Sequence, residues 1–139
     1  MITSKQAYER YGDPMRESSL VVFDVPQSME IGFIPKRIYC NKDLVKPLEA
    51  ALKNVVSRGL ASQITSWDGC FNIRKKRGAA SMSMHSWGLA IDINAASNRF
   101  GAKPTIGKGL VACFLDTGLW DWGGHWGKPD GMHFQLKNF

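Results

Sequence analysis

The pattern of apolar positions in the middle of the chain predicts one long helix. Residues 41–58 place five apolar side chains at helical spacing on a single face: Leu44, Leu48, Leu52, Val55 and Val56. Gly59 follows directly, and glycine commonly ends a helix because it tolerates the left-handed conformation found there. We therefore predict a helix over residues 41–58 that packs one face against the core.

Two shorter helices are indicated at the ends of the chain. Thr3 and Gln6 have the spacing of a capping box, which predicts a helix that begins after Thr3 and ends near Gly12. An apolar stretch over residues 108–116, followed by Gly118, predicts another.

Four short apolar segments predict strands, over residues 19–25, 64–67, 89–94 and 134–136. The first has the composition of a mostly buried strand. The third alternates, so Leu89, Ile91 and Ile93 share one face while Asp92 lies on the other. The glycine-rich and tryptophan-rich residues 120–131 are too irregular for a helix. We predict an α+β fold, a small mostly antiparallel sheet flanked by helices, in one domain over residues 1–139.

Composition restricts the class of protein. The three cysteines form no C-x-x-C pair, so reduced thiols are expected rather than a disulfide framework. The polar first residues resemble no secretion signal, and no apolar run is long enough to insert in a membrane. A net charge of +6 favours an anionic partner, but the basic residues are dispersed apart from residues 74–77 and form no nucleic-acid motif. We expect a monomer that binds no nucleic acid.

Candidate chemistry lies in two segments, residues 83–92 and 130–134. They supply His85, Asp92 and His133, whose side chains are suitable zinc ligands. Three protein ligands leave a position for water, whose pKa the ion lowers from about 15.7 to about 7. Gly88 allows a loop that holds His85 to turn into the strand that holds Asp92. The chain has no G-x-S-x-G motif and no cysteine-protease context around its thiols.

Residues 83–92 resemble the S-x-H-x-x-G-x-A-x-D motif of zinc peptidases related to the D-alanyl-D-alanine carboxypeptidases of the VanX and VanY type. All five fixed positions match: Ser83, His85, Gly88, Ala90 and Asp92. An acidic residue shortly before the last histidine is a second family motif, which Asp130 and His133 fit. The family includes phage endolysins that cut L-alanyl-D-glutamate bonds in peptidoglycan, and its fold is shared with hedgehog proteins. The resemblance covers roughly residues 64–136.

The resemblance implies a role for each matching residue. His85, Asp92 and His133 would bind one zinc ion in a cleft. Asp130 would be the general base, taking a proton from the attacking water and returning it to the leaving amine. An upstream arginine would polarise the scissile carbonyl, and Arg74 is the first choice, with Arg77 as its competitor.

Several residues are candidates for substrate contact. Ser83 would contact substrate or support the site, and it could equally cap the local turn. Trp87, Trp122 and Trp126 could form walls of the cleft or pack in the core. His125 could be a fourth ligand or orient the transition state, and we place it outside the metal shell as a substrate-side candidate.

These features together indicate a zinc-dependent hydrolase of peptidoglycan, whose anionic wall polymers suit a basic protein. We favour an L-alanyl-D-glutamate endopeptidase of the phage endolysin type, because carboxypeptidases of the family commonly have glutamate where Asp130 stands. A D-alanyl-D-alanine carboxypeptidase and a non-catalytic zinc-containing wall-binding module are the alternatives. No separate wall-binding module is expected. The protein would stay in the host cytoplasm until it is released to the wall.

Overall fold

The computed structural model describes residues 1–139 as three helices and six strands. The helices are α1 (Ser4–Tyr11), α2 (Val45–Ser57) and α3 (Lys108–Leu115). The strands are β1 (Leu20–Asp24), β2 (Arg37–Asn41), β3 (Trp67–Gly69), β4 (Ala90–Ile93), β5 (Trp120–Trp122) and β6 (His133–Leu136). The predicted α+β class is confirmed. No helix combines the length and apolar character needed to span a membrane.

The helices form where capping and apolar spacing predict them. Thr3 caps α1 through a complete capping box with Gln6. The longest helix is shorter than the predicted residues 41–58, because Asn41 still belongs to β2 and its side chain accepts the N–H of Asp43 at 2.9 Å. This hydrogen bond caps a short 3-10 helix over Lys42–Leu44, and the α-helix begins only at Val45.

Helix α2 packs its apolar face into the core beside α3. Leu48, Leu52 and Val55 are fully buried. Burying each such side chain stabilises the fold by about 1.5–3 kcal/mol relative to leaving it in water. The Asn54 side chain adds a hydrogen bond of 2.9 Å to the carbonyl of Cys113 in α3. This helix pair supports the sheet that carries the candidate site.

The strands form two sheets instead of the single sheet predicted. β1 and β2 form an antiparallel hairpin, and the second sheet has the order β3-β4-β6-β5. The prediction that residues 19–25 are mostly buried is wrong: Val21 and Val22 are exposed and Phe23 is the buried residue of β1. Only one face of this two-stranded sheet packs against the core, so Val22, which lies on the face opposite to Phe23, remains in solvent.

Two predicted boundaries also move. The strand expected at residues 64–67 begins at Trp67, because the Asn94 side chain accepts the N–H groups of Thr65 and Ser66 in place of a strand partner. β5 lies within residues 120–131, where the sequence indicated irregular structure, and it pairs with β6 along its whole length.

β4 and β6 pair at the centre of the larger sheet and determine the geometry of the candidate site. Asp92 in β4 lies directly opposite His133 in β6. Directly opposed residues of an antiparallel pair point to the same face of the sheet, so these two side chains are neighbours. β6 begins at His133 itself, one residue earlier than the predicted strand.

Gly88 connects the turn that carries His85 to β4. Its φ is +66°, and a Cβ atom there would lie 2.7 Å from the backbone nitrogen of Asn41 and 2.8 Å from Leu20 Cδ2. The Gly88 carbonyl also accepts the N–H of Asn41 at 3.0 Å, which joins the hairpin to the larger sheet. Glycine is therefore required both by conformation and by space.

We expect Gly88→Ala to lower the free energy of unfolding by about 2–5 kcal/mol, the combined cost of a left-handed alanine and of overpacking. Gly118→Ala is the matched control: φ at Gly118 is +74°, but nothing lies within 4 Å of its added Cβ. It should cost only about 1–2 kcal/mol. Urea unfolding measures both, and equal losses would show that the close approach at Gly88 does not matter.

Candidate metal centre

Three side chains from separate parts of the chain meet beside the central strand pair. His85 Nε2 lies 3.2 Å from Asp92 Oδ2, and His133 Nδ1 lies 3.4 Å from Asp92 Oδ1. The same two imidazole nitrogens are 3.2 Å apart. All three residues are buried, and their potential ligand atoms lie within 4.8 Å of one another. The arrangement gathers two nitrogen donors and one carboxylate around a single point.

Local structure places His85 against the strand pair. It lies in the 3-10 turn Met84–Trp87, which Ser83 caps by accepting the His85 N–H on its Oγ at 3.2 Å. The left-handed Gly88 ends the turn, so the chain reverses into β4. The capping alternative considered for Ser83 is thus present in the structure, and its buried side chain also lines the adjoining cavity.

The second nitrogen of each imidazole is occupied by an acceptor. His85 Nδ1 lies 2.6 Å from the carbonyl oxygen of Cys70, which can only accept, so Nδ1 carries the proton. His133 Nε2 donates to Gln135 Oε1 at 2.9 Å. In the neutral rings, His85 Nε2 and His133 Nδ1 are therefore unprotonated. Such partners orient metal-binding histidines in proteins.

Protonation states at the cluster are consistent with binding of a cation. Burial lowers the pKa of His85, which favours the neutral ring. Burial raises the pKa of the Asp92 carboxyl, but the imidazoles of His133 and His85 lower it by more, so the net pKa lies below the usual range. Asp92 Oδ1 is buried and has no hydrogen-bond partner. Two facing lone pairs and an unpartnered carboxylate oxygen fit a divalent metal, and zinc accepts this donor set.

Asp130 lies beside the cluster in a tightly packed turn. The Asp130 N–H donates to the Gly123 carbonyl at 2.9 Å, and a Cβ at Gly123 would lie 2.5 Å from the Asp130 carbonyl oxygen. The Asp130 side chain is buried; its Oδ2 accepts from Arg77 at 2.6 Å, while its Oδ1 has no partner. One carboxylate oxygen is thus anchored, and the other is available for proton transfer.

Two arginines approach the carboxylates, and they differ in how firmly they are held. Arg77 donates from Nη1 to Asp130 and from Nη2 to Asp92, both at 2.6 Å. Burial lowers the pKa of Arg77, but the two carboxylates raise it by more. Arg74 Nη2 lies 3.6 Å from Asp92 Oδ2, and its Nη1 donates to the Lys75 carbonyl. Burial and the neighbouring Arg77 lower the pKa of Arg74.

A cavity of about 300 Å³ opens next to the cluster and is lined by both Asp130 and His133. Four basic residues line it as well: Arg74, Lys76, Arg77 and Lys128. Lys76 and Lys128 form no salt bridge, although Lys128 Nζ lies 4.8 Å from the centre of the Phe100 ring. The cavity therefore presents unpaired positive charge beside a buried carboxylate.

The predicted aromatic contacts divide between cavity and core. Trp126 lines the cavity, with its ring 5.3 Å from that of His133. Trp87 does not line it: the residue is 3% exposed, its N–H donates to the Gly12 carbonyl and its ring packs on Tyr8. The substrate-contact interpretation of Trp87 is therefore corrected to core packing.

His125 is exposed and packs against the Trp122 ring at 4.8 Å. It lines a separate depression and not the cavity beside the metal cluster. The possibility that it is a fourth ligand is not supported, because the group of side chains that could hold a metal consists of His85, Asp92 and His133.

The cysteines offer no alternative nucleophile. All three are buried free thiols. Burial raises the pKa of Cys40 to about 12 and that of Cys70 well above its ordinary value. Only a thiolate is strongly nucleophilic, so these groups are chemically inert near neutral pH.

Residues 77–136 match the family model described as D-alanyl-D-alanine carboxypeptidase. The match covers less than half of the chain, and it includes Arg77 but not Arg74. It also contains the whole metal cluster and Asp130. No curated protein matches the chain, and neither does any solved structure. The match supports a peptidoglycan-related peptidase similar to the D-alanyl-D-alanine carboxypeptidases.

Zinc binding is expected to depend on both imidazoles and on their orientation. His85→Ala and His133→Ala should each abolish stoichiometric zinc in elemental analysis. Gln135→Leu, which removes the acceptor that orients His133, should weaken zinc binding by about 10- to 100-fold in a chelator competition. His125→Ala is the histidine control and should keep one zinc per chain. Full zinc retention in either cluster variant would exclude the assignment.

Proposed function

We propose that this protein is a zinc metallopeptidase that cleaves peptide bonds in bacterial peptidoglycan, acting as an L-alanyl-D-glutamate endopeptidase of the phage endolysin type. One observation supports it most directly: a buried His-Asp-His cluster lies beside a buried carboxylate whose second oxygen has no partner. The family match to residues 77–136 supports the broader part of this proposal, that the protein is a peptidoglycan-related peptidase.

His85, Asp92 and His133 would hold the metal, since their donor atoms fit zinc and face one another. When bound, the ion supplies Lewis acidity, which polarises a carbonyl and makes water a nucleophile at neutral pH. The buried surroundings of the three ligands exclude competing solvent from one side. The cavity on the other side admits the peptide.

Asp130 is the proposed proton carrier. Arg77 occupies its Oδ2, so its Oδ1 is free to take a proton from the attacking water. As the carbon–nitrogen bond breaks, Asp130 returns this proton to the amine nitrogen, which leaves as a neutral group. Arg77 positions the carboxylate through its hydrogen bond to Oδ2.

Arg74 is the proposed group that stabilises the oxyanion formed on the scissile carbonyl. Its guanidinium lines the cavity and is 3.6 Å from Asp92, so it is less tightly paired than that of Arg77. A less tightly paired cation can move to a developing negative charge at lower cost. Arg77, bonded to two carboxylates, has less freedom to do so.

The basic lining of the cavity suits the peptide stems of peptidoglycan. Both candidate bonds, L-alanyl-D-glutamate and D-alanyl-D-alanine, have a free carboxylate on the carbon that bears the scissile nitrogen. Lys76 and Lys128 are unpaired cations in the same cavity and could receive that carboxylate. The match of residues 77–136 to a family described as D-alanyl-D-alanine carboxypeptidase favours the carboxypeptidase as the second candidate function.

Digestion of purified peptidoglycan followed by mass spectrometry of the products tests the proposed bond. New D-glutamate or D-isoglutamate amino termini would support the endopeptidase. Released D-alanine would instead indicate the carboxypeptidase. If the zinc-loaded protein releases no product, the remaining candidate is a non-catalytic zinc-binding module.

Asp130→Asn should lower the rate of peptidoglycan cleavage by at least ~10²-fold, since the amide cannot accept the proton. Zinc affinity should stay within about tenfold of the wild type, because Asp130 is not a ligand. The control is Asp116→Asn, an exposed residue paired with Arg58 away from the cavity, which should cleave at the wild-type rate. Near-wild-type lysis by zinc-loaded Asp130→Asn would move the base elsewhere. Loss of zinc would make Asp130 a ligand.

Arg74→Ala should lower turnover by roughly two to three orders of magnitude, the usual cost of removing one oxyanion donor. Its zinc content and thermal unfolding should be unchanged. Arg77→Ala should also lower the thermal unfolding temperature, because it leaves two buried carboxylates without their partner. If only Arg77→Ala shows the loss of turnover, Arg77 and not Arg74 stabilises the oxyanion.

A further inference from the structure

A second depression lies next to the cavity beside the metal cluster, which we call the metal cavity. The depression has a volume of about 330 Å³ and is lined by residues of β5 and the following turn, by Leu115 at the end of α3 and by Lys137 directly after β6. We call it the aromatic groove and define it by five residues: Asp121, Trp122, His125, Trp126 and Lys137. Trp126 lines both spaces, so the groove and the metal cavity share a wall.

Contacts within the protein hold two aromatic side chains of the groove, those of Trp122 and His125. The Trp122 N–H donates to the Gly131 carbonyl at 2.8 Å, and the ring stacks with that of Phe134 in the core. The His125 ring packs edge-on to Trp122. Trp122 and Trp126 are half-buried, so part of each ring remains open to a ligand. A ligand would meet a platform that needs little ordering on binding.

The charged residues of the groove have unused hydrogen-bonding capacity. Asp121 and Lys137 form no salt bridge with each other or with any other residue. Their side chains also form no hydrogen bond within the protein. A platform of aromatic rings edged by a free carboxylate and a free ammonium group suits a ligand with an apolar face and a polar rim.

We propose that the aromatic groove binds an N-acetylated amino sugar of the peptidoglycan glycan strand; this inference rests on the proposed function. A pyranose ring has a face of C–H bonds that stacks on an aromatic ring and a rim of hydroxyl groups. Trp122 and Trp126 receive the face, and Asp121, His125 and Lys137 bond the hydroxyl and acetamido groups. Neither a peptide nor a lipid offers both features in one rigid ring.

The shared wall also bears on which bond is cut. The peptide stem starts at the lactyl group of an amino sugar, so a sugar in the groove places the first residues of the stem near Trp126. The metal cavity, which Trp126 also lines, then meets the bond between the first and second residues. The terminal D-alanyl-D-alanine bond lies several residues further away. Occupation of the groove therefore selects the L-alanyl-D-glutamate bond.

Binding of chitotetraose, a tetramer of N-acetylglucosamine, to the full chain tests the groove apart from peptide cleavage, because this sugar has no peptide stem. The indole N–H signals of Trp122 and Trp126 in an ¹⁵N spectrum should shift, and that of Trp87, which is buried in the core away from the groove, should not. His125→Ala and Asp121→Asn should each weaken binding by about three- to tenfold, the scale of one aromatic or hydrogen-bonding contact. No shift at Trp122 and Trp126 would overturn the proposal, whatever the enzyme's activity.

Measurements of KM with two substrates distinguish the role of the groove from that of the metal cavity. His125→Ala should raise KM for glycan-linked stem peptides more than KM for the same peptides freed from the glycan, with kcat on both little affected. Lys128→Ala is the matched comparison, because Lys128 lines only the metal cavity, and it should affect both substrates to the same degree. Equal effects of His125→Ala on the two substrates would contradict a sugar site. An inactive wild type that still binds chitotetraose would refute the peptidase and leave the sugar site standing.

Discussion

The antiparallel pairing of β4 with β6 is the constraint on which the candidate site depends. It sets Asp92 opposite His133, and the turn ended by Gly88 brings His85 against the same pair. Packing of α2 and α3 and the closure of β5 on β6 keep this register fixed. A slip of one residue would turn Asp92 to the opposite face and separate the ligands. The placement of the three candidate ligands is therefore a direct consequence of strand register.

Charge balance is the second requirement, because the site buries two carboxylates close together. Arg77 bonds to both and neutralises them in part, while the unpartnered oxygens of Asp92 and Asp130 remain. These oxygens are costly to bury unless a cation or a proton meets them. One is suited to hold a metal and the other to carry a proton. The unpaired lysines of the cavity extend the positive field, which would attract the anionic peptide proposed as substrate.

The clustering of His85, Asp92 and His133 was more predictable from sequence than the surroundings of the site. The metal cluster could be anticipated because its residues fall in two short segments with fixed spacing. β5 was missed because its strand character comes from pairing with β6, not from its own composition. Trp87 lies within the motif, yet its N–H is bonded to Gly12, a contact between residues remote in sequence. The contact of His85 with the Cys70 carbonyl could not be predicted, because a backbone group has no signature in the sequence. Gln135 could have been predicted as the partner of His133, because residues two apart in a strand point to the same face.

Anomalous diffraction at the zinc absorption edge from zinc-loaded crystals tests the central claim most directly. We expect one peak bound by His85 Nε2, His133 Nδ1 and a carboxylate oxygen of Asp92, with Asp130 outside bonding distance. We also expect that His85 Nδ1 and His133 Nε2 still face Cys70 and Gln135. A peak bound by Asp130, or one placed away from the β4–β6 pair, would contradict the central claim.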